Sequence, residues 1–148
     1  MKQKFIDAHM KAAEVYAELS SAKRLQVGCV IVKNNTIIGI GYNGMPSGWD
    51  NNCEMVKHTD FTGTVVTVSK PEILHSETNA IAKVAKSTNS TEGATMFVTH
   101  APCLDCAKLI YQSGINSVYY RNSYRNDDGI DFLKKCEIEV CQVKPCNS

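Results

Sequence analysis

Apolar residues recur at helical spacing at the start of the chain. Phe5, Ile6, His9, Met10, Ala13, Tyr16 and Ala17 fall on one face of a 3.6-residue repeat, so residues 2–19 read as an amphipathic helix that Ser20-Ser21 ends. The period then changes. Val27 to Val32 is a continuous, mostly β-branched run and reads as a buried strand. Ile37 to Tyr42 is a second strand, and Asn34-Asn35 turns the pair into a hairpin. Asn43 to Gly48 is loop chemistry, and residues 49–73 show no clear period, which predicts an irregular insertion. Ser76 to Lys86 reads as a helix with Ala80, Ile81 and Val84 facing inward. Thr95 to Thr99 is a short strand. Pro102, favoured in a first helical turn, opens a helix that runs to Gln112 and that Gly114 stops. Ser117 to Tyr120 is a strand, Ile130 to Lys135 a helix, and Glu137 to Val143 a final strand before a polar tail.

A hairpin followed by alternating helices and strands predicts an α/β fold. The expected architecture is a three-layer α/β/α sandwich around a mixed five-stranded sheet that starts antiparallel and continues through crossovers. No repeat or linker interrupts it, so residues 1–148 are expected to form a single domain with an insertion at 49–73. A chain of this length buries about 70% of its unfolded surface and needs no cross-link to make a core.

Composition narrows the options. The net charge of +1 does not by itself point to a polyanion-binding surface, and leaves room for a localised basic patch. The first 21 residues carry Lys2, Lys4, Asp7, Lys11 and Glu14, which is unlike a secretory segment, and no run is long enough for a membrane helix. A soluble, cytoplasmic protein is expected, with no membrane partner. Seven cysteines, an odd number, argue against a disulfide framework. Cys29 and Cys141 sit in apolar runs and read as buried, reduced thiols, while Cys136 and Cys146 carry no motif.

Two short motifs carry chemistry. His75-Ser76-Glu77 and Pro102-Cys103-Leu104-Asp105-Cys106 each fall at an expected helix start, where partial positive charge favours thiolate. His75, Cys103 and Cys106 have the chemistry of three zinc ligands. A structural zinc site normally closes with four protein ligands, whereas a catalytic one leaves the fourth position open. Glu77, two residues after His75, is placed to shuttle a proton beside that position. The pattern points to hydrolysis by zinc-activated water. Alone, a Cys-x-x-Cys pair has redox and structural-zinc uses, and Cys53 or His58 are the candidates for a fourth ligand that would close the site. The combined His-x-Glu and Pro-Cys-x-x-Cys pattern resembles the signature of the zinc nucleobase deaminases.

Further segments carry a narrower resemblance, to the deoxycytidylate deaminase family. Ser21 to Gly28 resembles the approach to that family's first strand, and Gly41-Tyr42-Asn43-Gly44-Met45-Pro46 its loop after the second. His75 to Ala80 and Thr99 to Lys108 resemble its two zinc boxes, with Ser76 in place of the usual alanine, and Ser123-Tyr124-Arg125 resembles a segment after its fourth strand. The resemblance covers residues 5–142, with the insertion poorly matched. It implies the cytidine deaminase-like form of the sandwich and conversion of dCMP and water to dUMP and ammonia, supplying dUMP for thymidylate synthesis. It implies catalytic Zn²⁺ on His75, Cys103 and Cys106, with Glu77 as proton carrier. It also implies that Asn43 bonds the sugar 3′-hydroxyl and that Arg24, Tyr124 and Arg125 meet the 5′-phosphate. Read by themselves, Asn43 is equally a turn residue, Arg24 and Arg125 surface charges, and Asn79 a structural residue that orients the Asn43 loop or caps a backbone group.

The resemblance further implies a homohexamer activated by dCTP with Mg²⁺ and inhibited by dTTP. Gly41, Tyr42, Gly44 and Lys86 are the candidate effector contacts. Some phage members hold a second zinc with a cysteine between the first helix and first strand; Ser21 to Arg24 contains none, so a second metal is not expected there, and Cys53 and His58 are the remaining candidates for one. Other readings are a cytidine, deoxycytidine or free-base deaminase, which needs neither Arg24 nor Tyr124-Arg125, and a zinc nucleotide sensor, which has no use for Glu77. A polynucleotide deaminase is disfavoured by near-neutral charge and 7% aromatic content, too little for a stacking groove.

Overall fold

A computed structural model describes residues 1–145; Cys146 and the rest of the polar tail lie outside the described residues. Helix α1 (Gln3–Ala17) is followed by strands β1 (Gly28–Lys33) and β2 (Thr36–Tyr42). Strands β3 (Glu54–Thr59) and β4 (Val65–Ser69) come next, then α2 (Ser76–Ala85), β5 (Thr95–His100) and α3 (Leu104–Gln112). The chain closes with β6 (Ser117–Asn122), α4 (Asp128–Lys135) and β7 (Glu139–Gln142). The main sheet has five strands in the order β2-β1-β5-β6-β7. The pairs β1–β2 and β1–β5 are antiparallel, and β5–β6 and β6–β7 are parallel, giving the mixed sheet that the pattern predicts.

Alternation along the strands divides the core into two layers. Val30 and Val32 of β1 and Phe97 of β5 pack with Ile6, Met10 and Ala13 of α1. Cys29 and Ile31, with Met96 and Val98, face the other way toward Ala80 and Val84 of α2, Ile110 of α3 and Leu133 of α4. Side chains on a strand point to opposite faces at successive residues, so one continuous apolar run serves both layers. Asn34 and Asn35 have φ of 52° and 59°, the geometry of a two-residue hairpin turn whose twist matches the strands.

Four expectations need correction. Residues 49–73 are not irregular throughout: β3 and β4 form their own two-stranded antiparallel sheet. Neither strand packs a face on either core layer, so no inward apolar period marks them, and the Asp60 carboxylate organises the turn by accepting from the N–H groups of Thr62 and Thr64. The last strand starts at Glu139, because Glu137 takes a left-handed φ of 62° that ends α4. Helix α3 starts at Leu104, two residues past Pro102. Cys141 is half-buried, on the edge strand β7, whereas Cys29 is fully buried.

Candidate active site

The two chemical motifs sit where two helices begin, at one end of the sheet. His75 is the N-cap of α2 and Cys103 the N-cap of α3, both with extended backbone. Their carbonyls accept the first helical bonds, from Asn79 and Ala107. Cys106 is in the first turn of α3 and is buried. Two glycines allow the close approach. A Cβ on Gly41 would run into the Ser76 carbonyl and come within 2.7 Å of the Ala80 nitrogen, so β2 lies directly on the first turn of α2. A Cβ on Gly129 would collide with the Pro102 carbonyl, so α4 lies against the cysteine segment.

The His75, Cys103 and Cys106 ligand atoms lie within 4.8 Å of one another. His75 Nδ1 is 3.3 Å from Cys106 Sγ and 3.6 Å from Cys103 Sγ. Tetrahedral zinc with Zn–S of about 2.3 Å and Zn–N of about 2.0 Å separates nitrogen from sulfur by about 3.5 Å, so this donor set fits zinc. His75 is exposed, Cys103 half-buried and Cys106 buried, so the cluster is open on one side only. Among the described residues no other cysteine, histidine or carboxylate joins it. Cys53 is buried elsewhere, its Sγ 3.5 Å from Ser21 Oγ, and His58 is exposed on β3.

Electrostatics agree with a metal-binding set. The Cys103 thiol is lowered to about 4, first by a hydrogen bond with Cys106, then by one with His75. The Cys106 thiol is pushed up because it is the partner that donates to Cys103, and because it is buried. His75 is raised, chiefly by its bond to Cys103. Glu77 is 5% exposed and is raised by burial, opposed by the Ser76 hydroxyl that donates to its Oε1. The Cys29 thiol is pushed up, first by burial and then by Glu77, so it stays neutral beside the carboxylate.

His75, Glu77 and Cys103 line a cavity of about 420 Å³. Arg24, Asn43, Tyr124 and Arg125 line it too, so all four expected substrate contacts meet the expected catalytic groups in one pocket. The Arg125 guanidinium lies 5.3 Å from the Tyr124 ring centroid, a cation–π contact. The Asn43 amide is largely committed: it donates to the Leu25 carbonyl and accepts from the Val27 N–H, each at 2.8 Å. Asn79 donates to the Tyr42 carbonyl at 2.9 Å, which fixes the loop that carries Asn43.

The effector candidates lie outside this pocket. Gly44 bridges Leu74 through paired backbone bonds, and the Tyr42 ring meets Lys83 rather than Lys86. Lys86 caps the opposite end of α2, about 16 Å along the helix axis from His75. Sequence reasoning missed several lining residues: Leu25, Val27, Ser69, Ile73 and His100. Ser69 and Ile73 come from the insertion and had no local signal. For His100 the cue was present, since it lies inside the Thr99 to Lys108 segment that resembles a zinc box. The Thr99 hydroxyl accepts from the Gly28 N–H at 3.1 Å and lies 3.2 Å from His100 Nδ1.

Fold and donor set define the class, a zinc-binding α/β protein with an open metal position. The family profile described as the cytidine and deoxycytidylate deaminase zinc-binding region matches residues 3–122. Deoxycytidylate deaminase of enterobacteria phage T4 is 33% identical over 93% of this chain and 89% of its own length. The Homo sapiens deoxycytidylate deaminase is 35% identical over 80% of this chain and 65% of its own. The crystal structure of dCMP deaminase from cyanophage S-TIM5 in complex with dCMP and dUMP superposes with a TM-score of 0.86 at 44% identity, covering 97% of this chain and 99% of the other. The chain belongs to the cytidine and deoxycytidylate deaminase family.

Proposed function

We propose that the protein deaminates dCMP hydrolytically, giving dUMP and ammonia. The observation that carries this reading is the state of its arginines. The chain has Arg24, Arg121 and Arg125. Arg121 is bound to Glu14 at 2.6 Å and to the Val143 carbonyl. Arg24 and Arg125 line the pocket and make no ion pair among the described residues. Two unspent guanidiniums facing one cavity suit a phosphate dianion, and a free nucleoside has no use for them. The S-TIM5 relative, whose structure contains dCMP and dUMP, supports the same substrate.

His75, Cys103 and Cys106 would hold a zinc ion, which would supply a Lewis-acidic open position where water ionises near a pKa of about 7. The protein's own groups do the rest. The Glu77 carboxylate takes a proton from the attacking water and delivers it to N3 of the cytosine as C4 becomes tetrahedral. A second proton, carried the same way, goes to the amino group, and the C4–N bond breaks to release ammonia. Burial raises the Glu77 carboxyl above its ordinary value, which makes the carboxylate a stronger proton acceptor. Leu25, Val27 and Ile73 give the pocket apolar surface that excludes water beside the base. Tyr124 and the two arginines hold the phosphate. Asn43 keeps one amide hydrogen for the sugar.

The proposal extends to supply of dUMP for thymidylate synthesis and to a homohexamer activated by dCTP with Mg²⁺ and inhibited by dTTP, with the Gly41 to Gly44 loop as part of the effector site. The test is ammonia release from dCMP, deoxycytidine and a cytosine oligonucleotide, with and without dCTP and Mg²⁺. The proposal expects turnover of dCMP above the other two and a lower half-saturation with dCTP. Equal turnover of deoxycytidine overturns the substrate; no effector response overturns the regulation alone.

A further inference from the structure

Arg24 lies in the irregular segment between α1 and β1, so nothing in regular structure holds it. That segment is clamped from two sides. From the end of β2, Asn43 bonds the backbone of Leu25 and Val27. From the insertion, Glu54 at the start of β3 accepts the N–H groups of Lys23 and Arg24 on one carboxylate oxygen, Oε1, at 2.8 and 3.1 Å. Consecutive N–H groups that converge on one anion form a rigid nest, which fixes the direction in which the second side chain leaves the backbone. Glu54 is 8% exposed, and its other oxygen, Oε2, is buried with no hydrogen-bond partner among the described residues. A buried, half-satisfied carboxylate is a costly choice for a purely structural tie. The guanidinium of Arg24 is not spent on Glu54, since no ion pair joins them among the described residues. The carboxylate therefore holds the arginine's backbone and leaves its charge for the pocket. Glu54 also pairs with Ser69 across the hairpin, and Ser69 lines the same pocket as Arg24.

We infer that Glu54 is a positioning residue for Arg24, and that the base of the 54–69 hairpin is part of the apparatus that recognises the substrate's 5′-phosphate. The inference rests on the monophosphate reading and deepens it. It gives the insertion a role in specificity toward nucleoside monophosphates. The role acts through Arg24, with no contact between Glu54 and substrate.

The experiment is steady-state kinetics of the zinc-loaded full chain and its variants on dCMP and on deoxycytidine. Glu54→Ala is expected to raise KM for dCMP about tenfold with kcat within about twofold, because only ground-state positioning of the phosphate is lost. The dCMP-to-deoxycytidine ratio of kcat/KM falls with it. Glu54→Gln keeps an acceptor oxygen and restores KM to within about threefold of wild type. Glu54→Asp retracts the acceptor and gives an intermediate KM, a second readout should the alanine variant not fold. In an Arg24→Ala background, Glu54→Ala adds no further loss of selectivity. Equal losses on both substrates, an unchanged KM, a glutamine variant as impaired as alanine, or additive losses with Arg24→Ala each overturn the inference. A wild type that does not prefer dCMP overturns the substrate reading and this inference with it. A wild type that does prefer it, with variants that keep the preference, overturns the inference alone.

Discussion

Glu77 is buried beside the Ser76 hydroxyl and is not one of the His75, Cys103 and Cys106 group that could hold a metal ion. Glu77→Ala is therefore expected to keep one zinc per chain by elemental analysis while losing about 10²–10⁴-fold in ammonia release, the usual worth of a positioned acid–base group. Loss of zinc from a folded Glu77→Ala chain makes Glu77 a ligand instead. Asn43 carries a different weight. Removing its two backbone bonds in Asn43→Ala leaves the Leu25 carbonyl and Val27 N–H unsatisfied, with an expected loss of about 2 kcal/mol in urea unfolding. His100 is lowered by burial, so the unfolded chain takes up a proton there at a higher pH than the folded one. The stability it supports is complete above about pH 6.5 and is lost as pH falls below that value. His100→Gln should lose less stability than wild type on moving from about pH 7 to about pH 5; equal losses contradict this assignment. The zinc triad and Glu77 were legible because their spacing is local and each motif falls at a helix start. Glu54 and the Asn43 bonds were not, because they join segments 16 to 31 residues apart through backbone groups that carry no side-chain signature.

At the scale of elements, the strands and helices of the main sheet could be read because each buries a face with a period. Val27 to Val32 supplied both core layers at once, and the helix of residues 76–86 kept Ala80 and Val84 inward. The β3–β4 hairpin escaped because its strands are mostly exposed and pair only with each other. The helix ends were displaced for local reasons: extended Cys103 delays α3, and the left-handed Glu137 delays β7. Gly41 links element to site. Gly41→Val has no room against the Ser76 carbonyl and Ala80 nitrogen, so α2 must move and take His75 and Glu77 with it. The expected result is a loss of roughly 1–3 kcal/mol in stability and weaker zinc retention under chelator competition. Gly44 has open space at its α-carbon, so Gly44→Ala is the matched control for steric change in the same loop.

For the whole molecule, the His75, Cys103 and Cys106 cluster joins the starts of two helices, α2 and α3, that lie on either side of β5 in the chain. A zinc ion that binds the folded chain and not the unfolded one stabilises it by about 2.7 kcal/mol at a hundredfold excess over its Kd. Metal removal is thus expected to lower the melting temperature as well as abolish turnover, and an unchanged melting temperature means the cluster does not bind the ion appreciably in the folded state. No helix among the described residues is long and apolar enough to cross a membrane. The described residues bring together a His-Cys-Cys donor set, a buried glutamate and two arginines without an ion pair around one cavity. The central claim is that this cavity deaminates a nucleotide and reads its phosphate. The most direct measurement is kcat/KM for dCMP relative to deoxycytidine, in the wild-type chain and in Arg125→Ala. The account predicts a ratio of about 10² or more in wild type that falls at least tenfold in Arg125→Ala through KM, the signature of a lost charge-assisted phosphate contact. A wild-type ratio near one would contradict it.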